Sequence, residues 1–207
     1  MNIIKPYAEI LSETDYNEIL RLVELAGRVC YKSEQNISDG SAEKFVSAII
    51  RRGHESVIEH FSVSVRFIVD RGISHEIVRH RIASFSQEST RYCNYSQEKF
   101  GRELTFIAPC FFTEQSIQQK LWEQSVREAE ISYFKLLDSG AKPEEARSVL
   151  PNSVKTELVM TANLREWRHF MKLRTAPAAH PQMREVAKPL LAEFKKRYCV
   201  FFEDIAE

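Results

Sequence analysis

Between residues 61 and 70 the chain reads Phe-Ser-Val-Ser-Val-Arg-Phe-Ile-Val-Asp, which places Phe61, Val63, Val65, Phe67 and Val69 at alternate positions. Successive side chains of a strand point to opposite faces, so this segment has to lay one face in a core. A second alternating run, Val154, Thr156, Leu158, Met160 and Ala162, predicts another strand over 154–162. A short strand is expected at 103–107. Elsewhere the period is helical. Ile19, Leu22, Val23, Ala26, Val29 and Cys30 share a face over 14–30, behind a Ser12 or Thr14 cap, and Phe45, Ala48 and Ile49 do so over 41–52, up to Gly53. Further helices are expected over 72–82, about 114–138, from Pro143 to before Pro151, over 164–173, and from Pro181 onward with a kink at Pro189. Residues 83–98 read as a polar, aromatic loop. Helices and strands do not alternate as βαβ units, and neither GxGxxG nor GxxxxGK[ST] occurs. The expectation is an α+β fold, an antiparallel or mixed sheet packed against several helices. With no repeat and no Gly/Ser linker, it is expected to be one domain over 1–207.

Charge narrows the function. Lys+Arg and Asp+Glu are each 29, whereas a domain that coats nucleic acid carries a basic excess, so no nucleic-acid partner is expected. No apolar run approaches the roughly 20 residues that span a bilayer, and the N-terminus lacks a signal-peptide core, so no membrane association is expected. Cys30, Cys93, Cys110 and Cys199 lie far apart without a CxxC pair, which reads as reduced thiols in a cytoplasmic protein.

The most informative stretch is Arg79-His80-Arg81-Ile82-Ala83-Ser84-Phe85-Ser86-Gln87-Glu88-Ser89-Thr90-Arg91-Tyr92. No lysine occurs between Lys44 and Lys99, so this segment draws its cations from arginine alone. Arginine offers a rigid fork that meets phosphate oxygens two at a time, where lysine offers a mobile point charge. Interleaved with Ser and Thr hydroxyls, such a segment suits a phosphate held in fixed geometry. A solvated, positively charged helix end followed by a polar turn has the same composition, and so has an arginine-rich nucleotide- or RNA-binding domain without catalysis.

The order of residues resembles a family signature. Arg79-His80-Arg81-x-x-Ser84 followed by Ser89-x-Arg91 is similar to the RHRxxSxxxxSxR motif of flavin-dependent thymidylate synthases. Gly53-His54-Glu55-Ser56, Glu59-His60, Glu145-Ala146-Arg147, Leu150-Pro151, Asn163-Leu164-Arg165 and Leu173-Arg174 fall where that family has them. The resemblance implies methylation of dUMP to dTMP, with methylenetetrahydrofolate as carbon donor and NADPH-reduced FAD as hydride source. It also implies a homotetramer with active sites shared between subunits. By the same resemblance, Arg174 is the catalytic residue, lying against the uracil. Ser89, Arg91 and Arg147 are implied for the phosphate, Arg147 from a neighbouring subunit. Glu76, Arg79, Gln87, Glu88 and Thr90 are implied around the same nucleotide. FAD is implied to contact His54, Ser56, Arg79, His80, Arg81, Gln87, Asn163, Leu164, Arg165 and His169.

The resemblance also implies that no cysteine attacks the ring; Cys93 and Cys110 also read as small buried apolar residues. His54 can equally be read as capping the helix that ends at Gly53. No metal is expected: in His75-Glu76-Ile-Val-Arg-His80 the histidines are five apart, which turns them about 140° away from each other on a helix. Two departures from the family stand out, Glu76 where Gln is common and His169 where some members have Asn. If 72–82 is helical, Glu76 reaches Arg79 or His80, which would tie it to them and keep it away from a phosphate. Exposure to solvent without a role is the other reading.

Overall fold

The computed structural model describes residues 1–97 and 101–206. Residue 98 of the expected loop, and positions 98–100 and 207 of the expected domain, lie outside the described residues. In chain order the elements are β1 (Asn2–Ile4), β2 (Tyr7–Ile10), α1 (Tyr16–Val29), α2 (Ser41–Arg51), β3 (Ser62–Asp70), α3 (Arg71–Ile77) and β4 (Ser84–Gln87). They continue with β5 (Thr105–Ile107), α4 (Ile117–Asp138), α5 (Pro143–Ala146), β6 (Lys155–Asn163), α6 (Leu164–Arg174), α7 (Pro181–Arg197) and α8 (Cys199–Phe202). Short 3-10 segments cover Glu34–Asn36, Glu55–His60 and Arg147–Val149.

The four-stranded sheet has the order β2-β3-β6-β4, and β1 pairs in parallel with β5 from Asn2 opposite Thr105 to Ile4 opposite Ile107. Strands β3 and β6 are antiparallel. The Leu164 N–H meets the Phe61 carbonyl, Ser64 meets Thr161, and the Arg71 N–H meets the Val154 carbonyl, so one number falls as the other rises. The alternation read in the sequence is the pleat itself: β6 buries every second residue, and Val63, Val65, Phe67 and Val69 of β3 are all fully buried. The α+β expectation holds.

Two compact units divide the chain. One comprises Met1–Tyr7, Phe67–Arg79 and Phe85–Val159, the other Ala8–Arg66, His80–Ser84 and Met160–Glu207. The first packs Leu104, Phe106, Val126, Tyr133, Ala146 and Val154 into one apolar cluster. In the second, Trp167 stands edge-on to Phe170 and tilted against Phe194, with ring centroids 5.4 and 5.2 Å apart, and Phe194 meets Phe202 at 4.9 Å. Such pairs each contribute about 0.5–1.5 kcal/mol beyond their burial.

Local chemistry moves several expected boundaries. Helix α1 is capped by Asp15, whose carboxylate accepts from the Asn17 and Glu18 N–H groups, while Ser12 accepts from the Ser64 N–H instead. Helix α3 starts at an Asp70 cap and ends at Ile77, five residues earlier than the expected 82. The chain beyond it becomes extended, because β4 joins the sheet through β6 and the Glu88 N–H bonds to the Glu157 carbonyl. Part of the expected loop is therefore strand. Helix α7 continues through Pro189 as one helix of 17 residues.

Candidate active site

The polar residues of interest fall into two groups, one in each unit. In the second unit the centre is His80, whose side chain is 2% exposed. Its Nδ1 lies 2.8 Å from Glu166 Oε1, and Arg174 Nε donates to its Nε2 at 3.1 Å. The ring packs on Phe170 at 4.9 Å between centroids and faces the His169 ring at 5.5 Å. Helix α6 supplies all of these partners. Glu166, Phe170 and Arg174 recur every fourth residue, hence along one stripe of the helix. The helix is fixed at its start by Asn163, whose side chain accepts from the Glu166 N–H.

Arginine Nε can only donate, so His80 Nε2 must present its lone pair and the ring proton sits on Nδ1, facing the Glu166 carboxylate. Burial lowers the proton affinity of His80 below that of an ordinary imidazole. Glu166 pulls the other way and Arg174 lowers it further. The histidine is neutral and its tautomer is set.

The same unit carries two clefts. One, of about 550 Å³, is lined by Glu55, Glu59, Ile82, Asn163, Arg165 and His169, among others. The second, of about 350 Å³, is lined by Phe45, Ile49, His54, Ser56, Val57 and Arg165, among others. Arg165 borders both and donates to Glu59 at 2.5 Å. Of the residues expected at FAD, His54 and Ser56 face the second cleft, Asn163 and His169 the first, and Arg165 each of them. Leu164 differs: its side chain is fully buried and its N–H is bonded to the Phe61 carbonyl, which leaves only its carbonyl to offer. His54 fits its reading at the end of α2. Its N–H bonds to the Ile49 carbonyl and that of Gly53 to Ile50, closing α2 with Gly53 in the left-handed region at φ +72°, while the imidazole remains exposed. Arg168, which the sequence reading passed over, is buried and donates to Glu55 at 3.0 Å, to both Asp204 oxygens at 2.7 Å, and to the Phe201 carbonyl.

The first unit holds the residues expected around the nucleotide phosphate. Thr90 is buried and accepts from the Arg147 guanidinium of the same chain at 3.3 Å. Arg91 is exposed, donates to the Tyr92 hydroxyl at 2.9 Å and lies 4.8 Å over that ring. The Ser89 hydroxyl accepts from the Arg91 N–H, and the Ser89 carbonyl accepts from Tyr92 and Cys93, which makes a tight turn. Glu88 and Gln87 are turned inward. The Glu88 carboxylate accepts from the Tyr95 hydroxyl at 2.7 Å, Lys155 at 3.1 Å and the Glu157 N–H at 3.2 Å. Burial alone would lower the proton affinity of Lys155, but Glu157 and Glu88 outweigh it and raise it, so this ion pair stays charged. The Gln87 amide donates to Ser74 and Thr156. Both residues brace the turn, and they offer a ligand mainly their backbone. Arg79 is exposed just past α3, with its N–H on the Glu76 carbonyl, and Arg81 is exposed as well. Glu76 is half-buried. The ring nitrogens of His80 are both engaged by α6.

His80, Glu166 and His169 stand close enough to share a cation. Both nitrogens of His80 are already used, however, and one of them faces a guanidinium, which would repel a metal ion. His75, the partner considered from sequence, is exposed on α3, while His80 is buried beyond the end of that helix. No disulfide links the cysteines. Cys93 packs against the apolar cluster of the first unit, Cys199 lies 3.2 Å from the Tyr16 hydroxyl, and Cys30 and Cys110 are exposed.

Residues 10–198 match the family model described as thymidylate synthase complementing protein. The chain belongs to this family. Among curated relatives, the flavin-dependent thymidylate synthase of Pyrococcus furiosus is 36% identical over 178 residues, covering 85% of this chain and 72% of the relative. That of Geobacter sulfurreducens is 33% identical over 189 residues, covering 88% and 80%. A solved structure, the UMP/dUMP methylase PolB from Streptomyces cacaoi bound with 5-Br dUMP, superposes with a TM-score of 0.80 at 27% identity, covering 98% of this chain and 96% of that one.

Within the family frame, the residue that sequence reasoning missed is Glu166. Its signal was present: Asn163 and Glu166 have the three-residue spacing of a capping pair. In a capping box the Glu would reach back to the first backbone N–H of its own helix. Here it crosses to His80, 86 positions away in the chain. That choice depends on what the fold brings alongside.

Proposed function

We propose that this chain is a flavin-dependent thymidylate synthase. It methylates dUMP to dTMP, with methylenetetrahydrofolate as carbon donor, NADPH as reductant and FAD as bound cofactor. Its family membership over residues 10–198 supports the reaction class. The observation that carries the mechanism is the guanidinium of Arg174, held through Nε by a neutral His80. A fixed cation of this kind stabilises negative charge as it develops on a pyrimidine ring and pushes electron density toward carbon 5, without a covalent adduct. Ser89, Arg91, Thr90 and Arg147 supply the hydroxyls and charged donors that suit a phosphate dianion. In a homotetramer with shared sites, these residues and Arg174 need not come from the same chain.

The donor set also suits a flavin. Arg165, Ser56, His54 and His169 are hydrogen-bonding groups on the rims of clefts that have apolar walls at Phe45, Ile49, Val57 and Ile82. Exposed Arg79 and Arg81 add forks that match a pyrophosphate. When bound and reduced, FAD supplies the hydride that completes the methyl group. Arg165 would have to give up or share its bond to Glu59 to meet a pyrophosphate. Glu88, Gln87 and Glu76 contribute by shaping the nucleotide turn, and Leu164 through its backbone.

The test is a visible spectrum and an assay on the purified protein. A yellow protein is expected, forming dTMP only when dUMP, methylenetetrahydrofolate and NADPH are all present. The variant with all four cysteines replaced by Ser or Ala should keep this activity wherever it remains folded. A colourless, inactive protein that binds RNA would point instead to an arginine-rich binding domain. A folded, yellow Cys→Ala variant unable to make dTMP would overturn the thiol-free mechanism.

A further inference from the structure

We infer that Glu166 is a positioning residue for the reaction, acting through His80 to fix the plane of the Arg174 guanidinium. The inference rests on the thymidylate synthase reading for its consequence in turnover, but not for its geometry.

The geometry runs in one line. The Glu166 N–H is tied to Asn163, so the start of α6 is pinned. Its carboxylate sits 2.8 Å from His80 Nδ1, and His80 Nε2 receives Arg174 Nε at 3.1 Å. The Nε, Cζ and terminal nitrogens of a guanidinium are coplanar, so one bond at Nε sets the direction of the whole fork. That bond needs a lone pair on Nε2. A neutral imidazole has two tautomers, and only the one protonated at Nδ1 leaves Nε2 open. A carboxylate accepts and cannot donate, so Glu166 selects this tautomer. Phe170 beneath the ring restricts its tilt. With Glu166 absent, the proton could settle on Nε2, where it would oppose the Arg174 N–H and break the bond that aligns the guanidinium with His80.

The same arrangement bears on acid. Among the described residues, the charged or titratable groups that act on His80 include Glu166, His169 and Arg174, all from α6, with Arg79 and Arg81 beside it in the chain. Protonation of His80 at Nε2 breaks the Arg174 bond, so turnover has an acid limb governed by this ring. Glu166 raises the proton affinity of the ring, so removing its charge moves that limb to lower pH. A role confined to folding would not shift it.

Two substitutions separate the possibilities. Glu166→Leu removes the acceptor. It is expected to cut kcat by about ten- to a hundredfold, the usual range for a group that orients a functional histidine, with KM for dUMP changed far less. Glu166→Gln keeps an oxygen that can accept from Nδ1–H. It should restore most of kcat while moving the acid limb of the profile to lower pH. Nitrogen-15 NMR of histidine-labelled holoenzyme reads the tautomer directly: His80 should be protonated at Nδ1 in the parent and in Glu166→Gln, and change tautomer in Glu166→Leu. This last measurement needs no turnover, so it stands even if the protein makes no dTMP, in which case the proposed function fails and the tautomer assignment does not. If His80 in the parent carries its proton on Nε2, or if Glu166→Leu folds with the parent's kcat and acid limb, the inference is overturned.

Discussion

Two arginine-bearing regions of this molecule are built in opposite ways. Around His80, a buried imidazole, a nearly buried carboxylate and Arg174 satisfy one another along one stripe of α6. Around Ser89, the cations Arg91 and Arg147 are exposed and rest on a tyrosine ring and a threonine hydroxyl. The first arrangement spends its freedom on folding and leaves Arg174 little room to reorient. The second leaves its arginines solvated, so their final geometry can be set by whatever anion arrives. A charge that must act on a ring has to be in place before the reaction, whereas a charge that grips a dianion can close on it. The contrast separates turnover from binding.

The largest effect is expected at Arg174. Arg174→Lys loses Nε, and with it both the planar fork and the bond to His80. Turnover should drop about a hundred- to a thousandfold while dUMP affinity stays within a few-fold, as steady-state kinetics and equilibrium titration would record. An equal loss in affinity would erase the distinction between the two regions.

At Arg147 the expectation is reversed. Arg147→Ala should raise KM for dUMP by about ten- to a hundredfold, in line with the roughly 1.5–3 kcal/mol of a charged hydrogen bond, with kcat nearly kept. Added salt should weaken dUMP binding in the parent more than in the variant.

The acid stability of the two regions should differ too. His80 has a lower proton affinity folded than unfolded, chiefly because it is buried. As pH falls below about 6.5, the unfolded chain takes up a proton that the folded one resists, so stability falls with a slope of up to about 1.4 kcal/mol per pH unit. The fall ends once pH passes below the folded-state value. Denaturant titrations of the parent and His80→Gln across this window would test it, the variant having the shallower slope. Equal slopes would mean that His80 is not buried in its neutral form.

The smallest effect is expected at Glu76. Glu76→Gln should leave dUMP binding equal or slightly tighter and FAD binding modestly weaker, within about twofold, as suits a half-exposed charge. A large loss of dUMP affinity with FAD unchanged would show that the carboxylate itself grips the nucleotide.

By itself the sequence determined what is local and periodic. The alternation of β3 and β6 and the helical stripes of α1, α2 and α6 specified the α+β fold, because burying one face of each element leaves few other arrangements. Strands β1, β2 and β4 were missed, being only three or four residues long, too short for a period to show. The order of arginine, histidine and serine likewise identified the family, and through it singled out Arg174 as the proposed catalytic residue. Tertiary structure decided how these residues are used. Helix α3 ends early because β4 is claimed by the sheet, so Arg79, His80 and Arg81 lie past its end and not on a helical face. Glu88 and Gln87, polar and adjacent to the motif, turn inward to Lys155, Tyr95 and Ser74. His80 finds its partners on α6, 86 and 94 positions away. Hydrogen bonds and ion pairs act over about 3 Å of space and carry no memory of chain separation, so only the folded backbone can say which carboxylate meets which imidazole.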